Sequence, residues 1–198
     1  MAMLFIAGQW VEPAEGGTRD VINPFDGSVI TTVAEASPVD AEAAVQAART
    51  AFDEGEWSSW SPGKRGELLL RMADLLQRDR AEIARLETLD TGKTLVESGI
   101  DVDDVTAVFR YYGELADKDP TRVVDAGSES VHSRVVYEPV GVCALITPWN
   151  YPLLQASWKV APALAAGNTM VIKPSEVTPL TTVKMVELLV EAGVPAGV

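Results

Sequence analysis

The segment GVCALITPWNYPLLQASWKVAPALAAGNTMVIKPSE, residues 141–176, decides the fold of this chain. Its first apolar run, 141–146, has the length and composition of a strand buried on both faces. A helix is predicted over 153–166, a second buried strand over 169–172 and a second helix over 179–191. Strand, helix, strand and helix joined by short links indicate a parallel α/β sheet.

The part of the chain before this unit begins with short extended pieces and then changes to helices. Residues 7–8 predict a hairpin turn, and 23–28 contain the Pro, Asp and Gly that favour a second turn. Serine followed by proline, at 37–38 and again at 61–62, is typical of the first residues of a helix. Helices are therefore expected from 38 to about 52, through 68–76, through 83–91 and over about 96–116.

Residues 121–138 differ from the helices before them. Two extended segments, 121–125 and 131–137, flank a turn at 126–130, and polar and apolar residues roughly alternate in the second segment. Such alternation is typical of a strand with one face in solvent, so the segment predicts a β-hairpin. His132, the only histidine, is expected to face solvent.

Composition narrows the classes of function. Of the 198 residues, 47% are apolar and 23% are charged, as in soluble globular domains, so wholesale disorder is excluded. The formal net charge of −13 disfavours nucleic acid and anionic membrane surfaces as partners. One cysteine cannot form an internal disulfide, and the first residues lack the basic segment of a signal peptide, so a cytoplasmic protein is expected.

Polar side chains follow both strands of the predicted α/β unit, where parallel sheets bind their ligands. Prolines on either side of Asn150, in TPWNYP at 147–152, hold its backbone rigid and suit a preorganised amide donor. In KPSE at 173–176, Lys173 and Glu176 suit a polyhydroxylated ligand such as a ribose. Two alternatives stay open from the residues alone: a surface ion pair of Lys173 with Glu176, and a helix cap at Asn150.

The usual sequence signatures of nucleotide and zinc sites do not occur. Neither G-x-G-x-x-G nor the Walker A pattern is present in the 198 residues, which disfavours an ordinary Rossmann dehydrogenase. One histidine and one cysteine leave no cluster for a zinc site. A nucleotide site at the strand ends would therefore have to bind without the familiar glycine loop.

Several longer motifs resemble those of the NAD(P)-dependent aldehyde dehydrogenase family. They are ITPWNYP at 146–152, WKVAPALAAGNT at 158–169, KPSE at 173–176, EAGVP at 191–195, LETLDTGK at 86–93 and RYY at 110–112. The resemblance covers nearly the whole chain in register. Within the family, the chain is most similar to the betaine aldehyde dehydrogenases.

The resemblance implies a fold and a division into domains. The family combines a Rossmann-like cofactor domain, a catalytic domain and a projecting hairpin that builds dimers and tetramers. The fold class is accordingly α/β, a Rossmann-like parallel sheet with an amino-terminal helical layer and a projecting β-hairpin. Residues 1–120 are assigned to the amino-terminal part of the cofactor-binding domain, 121–139 to the bridging and oligomerisation hairpin, and 140–198 to the first βαβα of the NAD-binding domain. A homodimer or homotetramer is expected for the full-length protein.

The resemblance also implies an activity and a set of site residues. The family oxidises an aldehyde through a thiohemiacetal on a cysteine, and hydride passes to the nicotinamide. Asn150 matches the oxyanion donor and Lys159 a lysine of the proton relay. The positions that match cofactor contacts are Ile146, Thr147, Pro148, Trp149, Lys173, Pro174, Ser175 and Glu176. A carboxylate at Glu176 would accept from ribose hydroxyls and repel a 2′-phosphate, so NAD is expected, with NADP as the alternative.

Two aromatic residues indicate the substrate. Tyr151 and Trp158 lie seven residues apart, nearly two helical turns of about 3.6 residues each, so both rings are predicted to face one channel. Both match aromatics of the trimethylammonium pocket in betaine aldehyde dehydrogenases. A quaternary ammonium donates no hydrogen bonds and is stabilised by ring faces. Betaine aldehyde or a related amino aldehyde is therefore the expected substrate, although both rings would equally suit a protein core.

The matched stretch stops before the family's reactive groups. Its cysteine nucleophile, its glutamate base and the catalytic domain that carries them lie carboxy-terminal to this sequence. Cys143 lies inside a predicted buried strand, where a thiol behaves as a small apolar side chain. The chain therefore resembles the amino-terminal part of an enzyme, inactive in isolation. The alternative is a catalytically inactive module for nucleotide binding or oligomerisation.

Overall fold

The computed structural model describes residues 3–118, 120–128 and 130–198. Within these ranges the chain forms eight short strands and six α-helices. The strands are β1 (Leu4–Ile6), β2 (Gln9–Val11), β3 (Thr18–Ile22), β4 (Val29–Ala34), β5 (Arg122–Val124), β6 (Ser133–Val135), β7 (Val142–Ile146) and β8 (Thr169–Lys173). The helices are α1 (Pro38–Asp53), α2 (Pro62–Arg78), α3 (Arg80–Thr91), α4 (Leu95–Leu115), α5 (Pro152–Ala165) and α6 (Leu180–Ala192).

Each described strand pairs with one neighbour. β1 with β2, β3 with β4, and β5 with β6 form three antiparallel hairpins, whereas β7 and β8 are parallel. The parallel pair runs in register from Val142 opposite Thr169 to Ile146 opposite Lys173, and α5 connects its two strands. The predicted order of strand, helix, strand and helix is confirmed.

Side-chain caps and prolines fix where the amino-terminal helices begin. Ser37 and Asp40 form a capping box at the start of α1, and Pro38 occupies its first turn. Ser61 accepts a hydrogen bond from Lys64 N at the start of α2. Because each cap satisfies a backbone N–H that the helix cannot, the serine–proline pairs specified these boundaries locally.

The link between α3 and α4 reverses the chain sharply. Gly92 ends α3 in the left-handed conformation, with φ of 78°. A Cβ atom there would lie 3.0 Å from Pro24 Cγ, so the space for a side chain is also tight. Thr94 then caps α4 in a box with Glu97. The reversal leaves Lys93 between the two helices, with its side chain only 16% exposed.

The main hydrophobic core lies where α2, α4, α5 and α6 meet β7. Its largest fully buried side chains are Trp57, Leu68, Leu69, Met72, Leu76, Ile83, Phe109, Leu153, Leu164, Met185 and Leu188. The amino-terminal helices therefore share one core with the α/β unit. Among the residues that the structure describes, no helix combines the length and the apolar composition needed to cross a membrane.

The prediction that the parallel strands are buried on both faces is wrong for this chain. Leu145 packs into the core, but Ala144 is exposed and Ile146 is 66% exposed. One face of the sheet packs on the core. Helix α1 contacts the sheet at the start of β8, where the Thr169 hydroxyl donates to the carbonyl of Ala48. Toward the carboxyl ends of the strands, the face opposite the core is open. Cys143, expected to be buried, is half-buried and packs against the core.

The β5–β6 hairpin is shorter than predicted. Its two strands contain three residues each, and Val123 is 85% exposed. His132 is exposed, as predicted. Hairpins of this size have little stability of their own.

Asn168 joins the end of α5 to the start of β7. Its buried amide accepts from Gly141 N at 3.0 Å through Oδ1 and donates to the carbonyl of Ala163 at 3.3 Å. Its backbone carbonyl accepts from Trp57 Nε1 at 3.0 Å. One residue therefore sets the crossover helix, the first parallel strand and the amino-terminal layer relative to one another.

We predict that Asn168→Ala lowers the free energy of unfolding by about 1–3 kcal/mol, because the buried N–H of Gly141 loses its acceptor. Urea unfolding monitored by circular dichroism measures the change. Asn23→Ala is the control, since its side chain accepts from Phe25 N only in an exposed turn, and it should cost less than about 0.5 kcal/mol. Equal losses in the two variants would contradict the role of Asn168.

Candidate functional site

The loops after β7 and β8 form one continuous surface. Thr147 N donates to the carbonyl of Lys173 at 3.1 Å, which extends the strand pairing by one bond. Further along, the Thr178 hydroxyl donates to the carbonyl of Trp149 at 3.2 Å. The carboxyl ends of neighbouring parallel strands must meet at the same edge of a sheet, and these bonds join their loops there.

Asn150 lies exposed on this surface. Helix α5 has Tyr151 as its N-cap residue, with no capping hydrogen bond from a side chain, and Pro152 occupies its first turn. The structure therefore does not support the alternative in which Asn150 caps the helix. Within the described ranges, its amide has no hydrogen-bond partner in the protein and is free to donate to a ligand.

Lys173 and Glu176 form an exposed ion pair. The Nζ–Oε2 distance is 3.4 Å, and the side chains are 63% and 56% exposed. Such a pair adds little stability. Hydrogen bonds from the backbone N–H of Glu176 and from Lys173 hold the pKa of the carboxyl below its usual range. The carboxylate is therefore ionised at neutral pH and able to accept hydrogen bonds from hydroxyl groups, so the ion pair and a ligand-binding role are compatible.

A cavity of about 870 Å³ lies beside this ion pair. Its walls come from α1, α6, β8 and the β1–β2 hairpin, and the residues 173–176 border it. Apolar side chains predominate on α6, among them Val183 and Val186. The buried hydroxyl of Thr182, which lines the cavity, and that of Thr147, which follows β7, have no hydrogen-bond partner among the described residues. An apolar space bordered by an ionised carboxylate fits the adenosine half of a dinucleotide.

A second cavity of about 450 Å³ lies between α4 and α5, and we call it the α4–α5 groove. Its lining consists of Asp104, Ala107, Val108, Tyr111 and Tyr112 from α4 with Leu154 and Trp158 from α5. Asp104, Val108 and Tyr111 fall at helical spacings of four and seven residues, so they share one face. That spacing was visible in the sequence, but the sequence alone did not show that a second helix faces it.

Tyr151 and Trp158 do not line the same cavity. Trp158 borders the α4–α5 groove, whereas Tyr151 is absent from its lining. The physical reason is that Tyr151 precedes α5, with φ of −138° and ψ of 64°. Helical spacing therefore does not apply from this residue. The ring of Tyr151 lies instead against the ammonium of Lys93, with Nζ 3.7 Å from the ring centroid.

A cluster of buried charges lies behind Tyr151 and was not found by sequence reasoning. Lys93 Nζ donates to Asp101 Oδ2 at 2.6 Å and lies 3.7 Å from Glu87 Oε1. Burial raises the pKa of Glu87, although the Thr181 hydroxyl donates to its other oxygen at 2.6 Å. Burial also raises the pKa of Asp90, to about 7. The charges come from α3, α4 and the link between them, so only the tertiary structure brings them together.

The remaining predicted residues lie in the same region. Ile146 and Trp149 are exposed, Pro148 is exposed, and Ser175 is buried. Lys159 is half-buried on α5. In the described part of the chain it has no ion pair or hydrogen bond.

The sequence of this chain matches known proteins along nearly its whole length. Residues 10–198 match the aldehyde dehydrogenase family. A betaine aldehyde dehydrogenase from Bacillus subtilis is 56% identical over 195 residues, which are 98% of this chain and 40% of that protein. An aldehyde dehydrogenase from Aspergillus niger is 45% identical over 195 residues, 98% of this chain and 39% of that protein.

Solved structures share the fold. The crystal structure of betaine aldehyde dehydrogenase from Staphylococcus aureus in complex with NAD+ superposes with a TM-score of 0.96 at 53% identity, covering 100% of this chain and 39% of that chain. The chain thus spans about two fifths of the length of these relatives. The predicted α/β fold class is confirmed. The chain belongs to the aldehyde dehydrogenase family.

Proposed function

We propose that this chain supplies part of the active site of an NAD-dependent dehydrogenase that oxidises betaine aldehyde or a related amino aldehyde to the acid. The α4–α5 groove is the observation that carries the proposal. It combines the carboxylate of Asp104 with the rings of Tyr111, Tyr112 and Trp158. The 56% identity to a betaine aldehyde dehydrogenase supports the same substrate class.

The groove has the chemistry that a quaternary ammonium needs. Ring faces attract a cation that cannot donate hydrogen bonds, by about 0.5–2 kcal/mol per ring. Tyr111 and Tyr112 meet edge to face, with ring centroids 5.1 Å apart. Asp104 is exposed and adds a negative charge at the groove. A cationic aldehyde would thus be attracted before it reaches the strand ends.

Asn150 and Lys159 would act on the reacting carbonyl. A free amide at the end of β7 can donate to the oxygen on which negative charge develops, and donors fixed in advance stabilise such charge most effectively. The prolines at 148 and 152 hold that backbone. Lys159 lies half-buried on α5, and we assign it to proton transfer on the strength of the family resemblance.

Residues at both strand ends would hold the cofactor. Glu176 would accept from the ribose hydroxyls, with Lys173, Pro174 and Ser175 beside it. The backbone at 146–149 would border the other half of the dinucleotide. When bound, NAD supplies the acceptor for hydride from the aldehyde. The relative from Staphylococcus aureus that superposes on this chain was solved with NAD+.

The β5–β6 hairpin would join copies of the full-length protein. Its exposed apolar side chains, and those that follow it, are Val123, Val124, Val131, Val136, Tyr137 and Val140. Exposed apolar surface of this kind is stabilised when a partner covers it. We therefore propose a homodimer or homotetramer and keep the domain boundaries at 1–120, 121–139 and 140–198.

We predict that Asp104→Asn in the full-length enzyme lowers kcat/KM for betaine aldehyde by about three- to tenfold, corresponding to about 0.7–1.4 kcal/mol. The neutral isostere 3,3-dimethylbutanal should lose less than about twofold, because it carries no charge for the carboxylate to attract. Added salt should reduce the difference between the losses for the two aldehydes. The adjacent Asp103→Asn is the control, since Asp103 pairs with Arg80 outside the groove. Equal effects on both aldehydes would remove the argument for a cationic substrate.

A second prediction concerns the oxyanion. Asn150→Ala in the full-length enzyme should lower kcat by about a hundredfold or more, as loss of other oxyanion donors does. The Kd for NAD should change little, because the side chain acts on the carbonyl of the substrate. Steady-state kinetics and cofactor titration measure the two quantities. A normal kcat in a folded variant would show that the amide has no catalytic role.

The third prediction concerns cofactor preference. The wild-type enzyme should prefer NAD to NADP, because the ionised Glu176 repels a 2′-phosphate. Glu176→Gln should reduce this preference for NAD. The ratio of kcat/KM values for the two cofactors measures this. Glu187→Gln is the control: Glu187 is an exposed carboxylate on α6 that pairs with Lys184. A wild-type preference for NADP would overturn the assignment.

A further inference from the structure

The partly buried ammonium of Lys93 lies against one face of the Tyr151 ring. Lys93 Nζ lies 3.7 Å from the ring centroid, which is within cation–π distance. The same nitrogen donates to Asp101 Oδ2 at 2.6 Å and lies 3.7 Å from Glu87 Oε1. The side chains of Glu87 and Asp101 are 0% and 8% exposed. The ammonium is thus shared between two buried carboxylates and one ring.

The fold leaves Lys93 little freedom to move away. It lies in the reversal between α3 and α4, which the left-handed Gly92 and the Thr94 capping box define. Glu87 belongs to α3 and Asp101 to α4, so one carboxylate approaches from each helix. The Thr181 hydroxyl of α6 donates to Glu87 at 2.6 Å and fixes that carboxylate in turn.

Tyr151, in contrast, has few other restraints. Its ring is 43% exposed, and no hydrogen bond of its hydroxyl occurs among the described residues. It is the N-cap residue of α5, but no side chain caps that helix. The contact with Lys93 is therefore the polar interaction that orients the ring. Because Asn150 is the preceding residue, the orientation of the ring is coupled to the backbone that carries the amide.

We propose that Lys93 is a positioning residue for the aldehyde site: held by Glu87 and Asp101, it fixes the ring of Tyr151 beside Asn150. The inference rests on the proposed function, since it takes Tyr151 to border the aldehyde. The two carboxylates also offset the charge of Lys93. A cationic substrate that approaches from the α4–α5 groove therefore meets no uncompensated ammonium behind the ring.

A double-mutant cycle in the full-length enzyme separates this role from a purely structural one. Lys93→Met keeps most of the side-chain volume and removes the charge. With Tyr151 present, we expect it to lower kcat/KM for betaine aldehyde by about tenfold. In the Tyr151→Leu background, the same change should cost less than about twofold, because the ring on which Lys93 acts is gone. Lys93→Arg should restore part of the activity in the Tyr151 background.

Lys184→Met is the matched control. Lys184 is 18% exposed, close to the 16% of Lys93, and it pairs with Glu82 at 3.1 Å and Glu187 at 3.6 Å, two exposed carboxylates. It should lower kcat/KM by less than about twofold in both backgrounds. Equal losses from Lys93→Met in the two backgrounds would overturn the proposal, since an effect through general stability does not depend on Tyr151.

Asp101→Asn gives a second test if Lys93→Met does not fold. It removes one carboxylate that holds the ammonium and leaves Lys93 in place, so a loss coupled to Tyr151 supports the proposal and an uncoupled loss overturns it. The wild-type preference between betaine aldehyde and 3,3-dimethylbutanal tests the proposed function separately. If the effects of Lys93 and Tyr151 are coupled but the enzyme does not prefer betaine aldehyde, the cationic substrate is rejected. Lys93 then remains the positioning residue for whichever aldehyde is oxidised.

Discussion

The parallel pairing of β7 with β8 is the interaction on which the rest of the site depends. It places Ile146 opposite Lys173, so that two loops with different chemistry begin at the same edge of the sheet. One loop presents a free amide, and the other presents an ionised carboxylate beside an apolar cavity. Helix α5 makes this pairing possible, because parallel strands need a crossover between them.

The crossover helix α5 also links the loop of Asn150 to the α4–α5 groove. Its amino-terminal end follows Asn150 at the strand edge, and Trp158 on its second turn borders the α4–α5 groove. A ligand in the groove and a ligand at the strand ends would therefore contact the same rigid element. In the function proposed above, one helix would carry Trp158 for recognition of a cationic group and follow the loop that acts on the carbonyl.

Buried charge imposes a further constraint on the region. Glu87 and Asp90 are almost fully buried, and burial raises the pKa of each. Removing such charges from water is costly unless partners compensate them. Lys93 provides that compensation for Glu87 and Asp101 and also contacts the ring of Tyr151. One ammonium thus contacts the buried carboxylates of α3 and α4 and the ring of the residue that follows Asn150.

The sequence by itself determined the elements and the strand-end residues. Helix starts at Pro38 and Pro62 and the helix end at Gly92 depend on local hydrogen bonds and backbone conformation, which neighbouring residues specify. The motif residues 146–152 and 173–176 were likewise recognisable, because connectivity alone brings the ends of parallel strands together. The family resemblance added their roles, which the residues alone left open.

Only the tertiary structure decided which side chains face one another. One example is the open face of β7, which depends on which helices pack against the sheet. Two others join residues far apart in the chain: Asp104 with Trp158 in the α4–α5 groove, and Lys93 with Tyr151. Helical periodicity predicts the faces of a helix but not the helix that packs against it. It also does not extend to Tyr151, because that residue precedes the first helical turn. The conformation of this cap residue and its contact with Lys93 therefore decide where the Tyr151 ring lies.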